Sequence, residues 1–412
     1  MSTTYIVGAG PVGLLTAALL QRTTSKEVVL FEKRASYTRT RMVALSPYLL
    51  AQEVSSYDVD PFDADNVRAI YNPDSLADLF ASKRWIPGDV KEFLRDLGTD
   101  YVPLNTIEEA FAEFVSAGRP IERRQENVSI ESLDEILREG DVVLDCSGRN
   151  SLTRDSLPSG RRDALFRQLA MTKKAHQGRR GVNEWHANTL EFVLEHALVV
   201  TFELSQTHVC DERCKFRGNE GNMDYRFLPS IRRTYSSGSK SNVTGVVHIT
   251  PEDYERLPST LSQEWLDANE DPIAQSINRF LTNHLIPLSG SEPENLAIIT
   301  LPLNLYRARR FTNADYTWLG SVEGVPTFLL GDGAVGSPFH QSISLGFEGS
   351  IYLNWLMRDS LAVDHRMLEE YEAFMERQWM RVYMRSKAIK ANKDVLANMH
   401  DQDHLLDMLH VY

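Results

Sequence analysis

Three glycines and one acid carry the first chemistry legible in this chain. Gly8, Gly10 and Gly13 stand in the run Gly8-Ala9-Gly10-Pro11-Val12-Gly13, and Glu32 follows a short way on. Residues of these types at this spacing hold the pyrophosphate of a dinucleotide. Gly8 permits a tight turn, Gly10 lets the backbone approach the phosphates, and Gly13 lets a helix pack close to a sheet. The free N–H groups at the start of that helix, which Pro11 and Val12 open, face the phosphates, Pro11 itself having none to offer. Glu32, with Lys33 beside it, stands where a carboxylate takes hydrogen bonds from ribose hydroxyls. An acid there suits an unmodified ribose, so FAD or NAD before NADP.

Such residues work only if strands and a helix position them, and the flanking sequence supplies these. Thr4–Val7 reads as a short buried strand, Leu14–Arg22 as a helix and Glu27–Phe31 as a second strand. Strand, glycine loop, helix, strand and acid within about thirty residues make the dinucleotide-binding βαβ unit.

Further on, helices are expected at Ser75–Ala81, Val90–Leu97, Ile107–Val115 (with Gly118 as its stop) and Ser132–Arg138. Asp141–Asp145 reads as a buried strand running into the turn Cys146-Ser147-Gly148-Arg149-Asn150-Ser151. The character then changes. Leu198–Leu204, Tyr225–Ile231 and Val243–Thr250 are rich in β-branched residues and read as strands. Ser262–Asn269 and Pro272–Leu285 read as helices, and Asn295–Arg310 as a strand interrupted at Pro302. Gly160–Gly181 and Ser236–Ser241 read as polar loops. Thr327–Leu330 is one more apolar strand, ending on Gly331-Asp332-Gly333-Ala334. Val335–Ser342 reads as a loop and Leu345 onward as a helix. Asp364 caps a long final helix, Met367 to about Lys390, whose stripe Leu368, Tyr371, Met375, Trp379 and Val382 is core. A second strand-then-Gly-Asp element so late in the chain implies a discontinuous first domain with a β-rich block inserted. The divisions expected are 1–158, 159–310, 311–360 and 361–412.

Composition excludes several classes. Lys and Arg number 44 against 57 Asp and Glu, a net charge of −13, which disfavours nucleic acid and anionic membrane. No apolar run reaches the length of a membrane span, and no signal peptide is read. Three cysteines, Cys146, Cys210 and Cys214, make no disulfide framework, so a reduced, cytoplasmic protein is expected. His208, Cys210 and Cys214 lie close together, but a structural zinc site wants four ligands at other spacings, so no metal is expected.

Three places in the chain resemble the single-component FAD monooxygenases of the p-hydroxybenzoate hydroxylase type. The first is Gly8–Gly13 with Glu32, followed by Arg41. The second is Asp141–Ser151. The third is Phe328-Leu329-Leu330-Gly331-Asp332-Gly333-Ala334, with Pro338 beyond. Order and spacing fit over nearly the whole chain. The resemblance implies an α/β protein, with a Rossmann-like FAD-binding domain, an inserted β-sheet substrate domain and a C-terminal helical segment. It implies FAD as cofactor, with NADPH or NADH as electron donor, and a small-molecule substrate and O₂ as partners. Asp332 would accept hydrogen bonds from the ribityl hydroxyls. The turn from Ser342 to Gly346, including Leu345, would point N–H groups at the pyrimidine edge of the isoalloxazine. Arg41 would lie along the pyrophosphate.

Two departures bear on the reaction. Ser147-Gly148 replaces the Asp-Gly of the family's middle motif, which is linked to the nicotinamide substrate; this leaves room for a separate flavin reductase as partner. The loop after Asp332 carries Ser337-Pro338-Phe339-His340-Gln341-Ser342, which makes His340 the acid/base candidate. Tyr306, Arg307, Arg309 and Arg310 offer either an anion-holding arginine or a solvated charge cluster. The reaction implied is insertion of one oxygen atom from O₂ into a small, aromatic or polycyclic substrate through a flavin hydroperoxide. The alternatives are a flavin oxidoreductase or halogenase of the same fold fed by a separate reductase, and a non-catalytic dinucleotide-binding protein.

Overall fold

The computed structural model describes residues 2–39, 42, 43, 45, 86–97, 102–154, 189–204, 225, 227–233, 241–282, 292–313, 325–337, 342–358 and 362–397. Outside them lie His340, Arg41, Pro338, His208, Cys210 and Cys214, the expected helix Ser75–Ala81 and the loop Gly160–Gly181. The chain divides into two compact units: one of Met1–Phe192 with Leu305–Ser386, and one of Val193–Asn304 with Lys387–Tyr412.

In the first unit the opening residues fold as β1 (Thr3–Val7), helix α1 (Pro11–Thr23) and β2 (Glu27–Phe31). Pro11 at the head of α1 fixes a helical φ where no N–H is needed. A short antiparallel pair, β3 (Met42–Val43) and β4 (Val102–Pro103), follows, with helices α2 (Gly88–Leu97) and α3 (Leu104–Ser116). Next come β5 (Glu122–Arg124), helix α4 (Ile130–Ile136) capped by Ser129, and β6 (Val142–Asp145). The late strands are β12 (Thr312–Asn313) and β13 (Thr327–Leu329). The sheet order is β12-β13-β6-β1-β2-β5, parallel from β13 to β5, with β12 antiparallel at one edge. On one face Tyr5, Val7, Val29, Phe31 and Val143 pack on Leu133 and Leu137.

Helix α8 (Ser342–Met357) is buried along most of its length and lies against α1. Polar ties fix the pair: Thr16 donates to Ser350 at 2.9 Å and Thr23 to Asn354 at 2.6 Å. The last helix, α9 (His365–Ala397), begins at Asp364, whose carboxylate accepts the Met367 N–H at 2.9 Å. Leu368, Tyr371, Met375, Trp379 and Val382 are buried, as the helical stripe requires. Arg381 of α9 forms a buried ion pair with Glu348 of α8 at 2.6 Å.

The second unit holds most of β7 (Thr189–Leu204) and β11 (Glu294–Ala308), with β8 (Phe227–Arg233), β9 (Ser241–Ile249) and β10 (Thr260–Leu261), in the order β10-β11-β7-β9-β8. Leu198, Val200, Phe202, Val247, Ile249 and Ile298 on one face meet Tyr254 of helix α5 (Pro251–Arg256), Leu266 of α6 (Gln263–Ala268) and Ile273 and Ile277 of α7 (Pro272–Phe280).

Several readings need correction. Pro302 does not interrupt β11, which runs unbroken from Glu294 to Ala308. β10 pairs only Ile298 and Ile299, so Pro302 lies beyond it, and there one side of the strand has no neighbour among the described residues. Sheets accept proline at such an edge. β7 begins at Thr189 rather than Leu198, and α8 begins at Ser342 rather than Leu345. Val335–Gly336, expected as loop, forms a short strand, β14, paired with Tyr306 and Arg307 of β11 within the first unit.

Candidate active site

The parallel strands β1, β6 and β13 end side by side, and a cleft of about 500 Å³ opens at those ends. Its wall runs from Glu32, Lys33, Arg34 and Arg39, across Gly8, Gly10, Pro11 and Val12, to Asp332 and Ile343. Open parallel sheets bind ligands at this end of their strands.

The glycine loop is held by contact. Gly8 has φ +97°, and a Cβ there would stand 2.8 Å from the Cys146 carbonyl oxygen. A Cβ on Gly13 would collide with the Gly8 carbonyl, so only glycine lets α1 close on the turn. Gly10 precedes α1 with no side chain capping it, which leaves the helix N-terminus open to an anion. Gly331, at φ +56°, and Gly346 both press on Val12: a Cβ on Gly331 would lie 3.0 Å from Val12 Cγ2, and one on Gly346 would overlap that atom. The late part of the chain therefore closes on the glycine loop at Val12 from two positions. Gly346 and Leu345 are buried in α8, while Ile343 reaches the cleft.

Asp332 sits in the turn Gly331–Gly333 on the cleft wall. Burial, then the nearby Asp332 charge, holds the Tyr306 hydroxyl well above its ordinary pKa. The Arg149 guanidinium lies 5.3 Å from the Tyr306 ring and pairs with Glu191 at 2.8 Å. Arg307 is not free to hold an anion: it pairs with Glu376 and stacks on Phe311 and Trp379.

The loop after β6 turns inward. The buried Asp145 carboxylate accepts the Ser147 N–H at 2.9 Å, the Thr153 N–H and hydroxyl at 2.8 Å, and the hydroxyls of Ser147 and Ser151. Ser147 thus braces the loop while also lining the cleft. Burial raises the Cys146 thiol far above its ordinary pKa, which makes it an inert core residue.

At the other end, Glu32 is fully engaged. It accepts the Ala9 N–H at 3.0 Å, the Arg34 N–H at 2.9 Å, and two guanidinium N–H groups of Arg34 at 2.9 Å. Burial alone would raise its pKa, but these bonds outweigh burial and hold it below the ordinary value. Arg34 and Arg39 also reach Glu108 of α3, which is 0% exposed. The Arg39 guanidinium hangs over Gly10. Arg34, Arg39 and Glu108 were not singled out from the sequence. The signal for Glu108 was present: it falls on the buried stripe of α3, with Leu104, Ile107, Phe111 and Val115.

The sequence pattern of the NAD(P)-binding Rossmann-like domain family matches residues 6–38. No curated protein sequence matches the chain at a significant level. Among solved structures, 2-methyl-3-hydroxypyridine-5-carboxylic acid oxygenase superposes with a TM-score of 0.51 at 11% identity, covering 98% of this chain and 95% of that one. The chain has the fold of that oxygenase. An aromatic hydroxylase from angucycline biosynthesis gives 0.49 at 14% identity, over 99% of this chain and 74% of that one. A flavin-dependent brominase gives 0.48 at 11%, over 99% and 93%. The cleft suits the dinucleotide that the matched Rossmann-like pattern implies: glycines stand where a Cβ would collide, a helix N-terminus is open, and an acid lies at each end. Among the described residues no cluster of His, Cys, Asp or Glu is placed to hold a metal, and no helix is long and apolar enough to cross a membrane.

Proposed function

We propose that this protein is an FAD-dependent monooxygenase that inserts one oxygen atom from O₂ into a small, aromatic or polycyclic substrate. The observation that carries the reading is the single cleft joining Glu32, the glycine loop, Asp332 and the start of α8 within the fold of the matched oxygenase. When bound, the flavin supplies the redox and oxygen chemistry.

The chain's own residues then bind and orient. Glu32 accepts the ribose hydroxyls once Arg34 yields. The N-terminus of α1 meets the pyrophosphate, joined by Arg41. Asp332 accepts the ribityl hydroxyls. The N-terminus of α8 faces the pyrimidine edge, where a helix dipole favours the negative charge of the reduced ring. His340 moves a proton at the reacting position, so His340→Ala should slow turnover and leave FAD bound; unchanged turnover would make it a bystander.

A second reading has its own observation. The loop after β6 uses its carboxylate and its serines on itself. That favours a flavin enzyme, a halogenase included, that receives electrons from a separate reductase rather than directly from NADPH or NADH. An absorbance spectrum of the purified protein, then anaerobic titration with NADPH and NADH, tests both. A yellow protein bleached by either supports the single-component reading. A yellow protein bleached by neither, even with candidate substrates present, supports the second. A protein that stays colourless with added FAD overturns both. Oxygen uptake stoichiometric with an oxygenated product separates oxygenation from other flavin chemistry.

A further inference from the structure

Two oxygen pairs at the adenosine end of the cleft are mismatched. A carboxylate offers about four acceptor positions. Glu32 fills that number with N–H groups, half of them from the Arg34 side chain, so a ribose finds no acceptor there. Glu108 is the opposite case. Its Oε1 takes Arg39 and both terminal nitrogens of Arg34, the latter at 3.3 Å. Its Oε2 is buried with no hydrogen-bond partner among the described residues, which is costly for a carboxylate oxygen. Arg34 thus spans an over-supplied acid and an under-supplied one.

We infer that Glu108 is the receiving carboxylate in a partner exchange that admits the dinucleotide. As the ribose hydroxyls take Glu32, the Arg34 guanidinium shifts from Glu32 onto Glu108 and pairs with both its oxygens. The orphaned Oε2 gains its bond, and the Glu32 charge, which keeps its two backbone N–H bonds, takes the ribose hydroxyls in place of the guanidinium. The shift is short, because Arg34 already touches both acids. The Ala9 and Arg34 backbone N–H bonds keep Glu32 aimed while the side chain leaves. Arg39 crowds the same Glu108 oxygen over Gly10, and the exchange releases it toward the pyrophosphate. Glu108 is therefore a positioning residue: it acts on the ligand through two arginines.

This inference rests on the dinucleotide reading of the cleft, and a double-mutant cycle on FAD affinity, read by flavin fluorescence on the apoprotein, separates the two. Arg34→Met uncovers Glu32 from the start and should bind FAD at least as tightly as wild type; tenfold weaker binding would overturn the exchange. Glu108→Gln removes the receiving charge. Its effect on Kd in the wild-type background should be less favourable, by roughly tenfold, than its effect in the Arg34→Met background, as for directly coupled residues. The cycle cancels the general gain of positive charge near the pyrophosphate. Equal effects in the two backgrounds would overturn the exchange while leaving the flavin site standing. Wild-type protein that binds no FAD would overturn the underlying reading instead. Should Glu108→Gln fail to fold, Glu108→Asp, whose shorter arm cannot receive the guanidinium with both oxygens, takes its place in the same cycle with the same expected inequality.

Discussion

Two loops leave neighbouring parallel strands at the same end of the same sheet and do opposite things. After β1, Gly8–Gly13 carries no side chain that caps the helix behind it, so the N-terminus of α1 is left open at the cleft. After β6, Cys146–Thr153 folds around the Asp145 carboxylate, which takes N–H groups and hydroxyls alike. The loops also lean on each other: the Cys146 N–H donates to the Val7 carbonyl at 2.9 Å, and Gly8 sits against the Cys146 carbonyl. Position at the end of a strand thus does not make a ligand loop. What decides is whether a buried acid claims the donors first.

Substitutions test that contrast, and the largest effect is expected in the first loop. Gly13→Ala would drive a methyl into the Gly8 carbonyl, costing about 3 kcal/mol or more. Loss of flavin together with a large fall in Tm is expected; a variant melting within a degree or two of wild type would break the account of the loop. Asp145→Ala strands buried donors and should cost about 3 kcal/mol in urea unfolding, with little change in FAD affinity at temperatures where it stays folded. A selective loss of flavin affinity there would make the second loop a ligand loop after all. Asp332→Ala should do the reverse, weakening FAD about tenfold, or ~1.4 kcal/mol, while apoprotein stability holds. Full FAD occupancy in that variant would remove Asp332 from the site.

The smallest effect concerns pH. The folded pKa of Glu32 is depressed, so its contribution is present above the unfolded value of about 4.3 and is lost as pH falls through the lower folded value. Glu32→Gln should flatten that part of the acid limb of stability against pH. An unchanged acid limb would show that Arg34 holds Glu32 no more firmly than water does.

The first loop was legible because its chemistry is local: glycines, strand periods and an acid at fixed spacing. The apolar strands β6 and β13 and the stripe of α9 were legible for the same reason. β5, with sequence Glu122-Arg123-Arg124, was not, because an exposed edge strand needs no apolar alternation. The ion pairs of Glu108 and Glu348 were not legible, since the arginines that neutralise them come from far along the chain. Ser147 read as a departure from a motif; its structural task depends on Asp145, Ser151 and Thr153 together, which no pairwise spacing reveals.

The burial of α8 against α1 has a consequence for how the chain is made. During synthesis the ribosome releases α1 and the strands around it more than three hundred residues before the helix that covers them. Until then the emerging polypeptide shows the α1 flank to the cell, and the edge of β6 that β13 later pairs is open. Exposed strand edges and apolar helix faces are what chaperones bind and what aggregates nucleate on. The opening βαβ segment is therefore not a portable module, and a fragment ending before β13 should accumulate as insoluble protein or on chaperones.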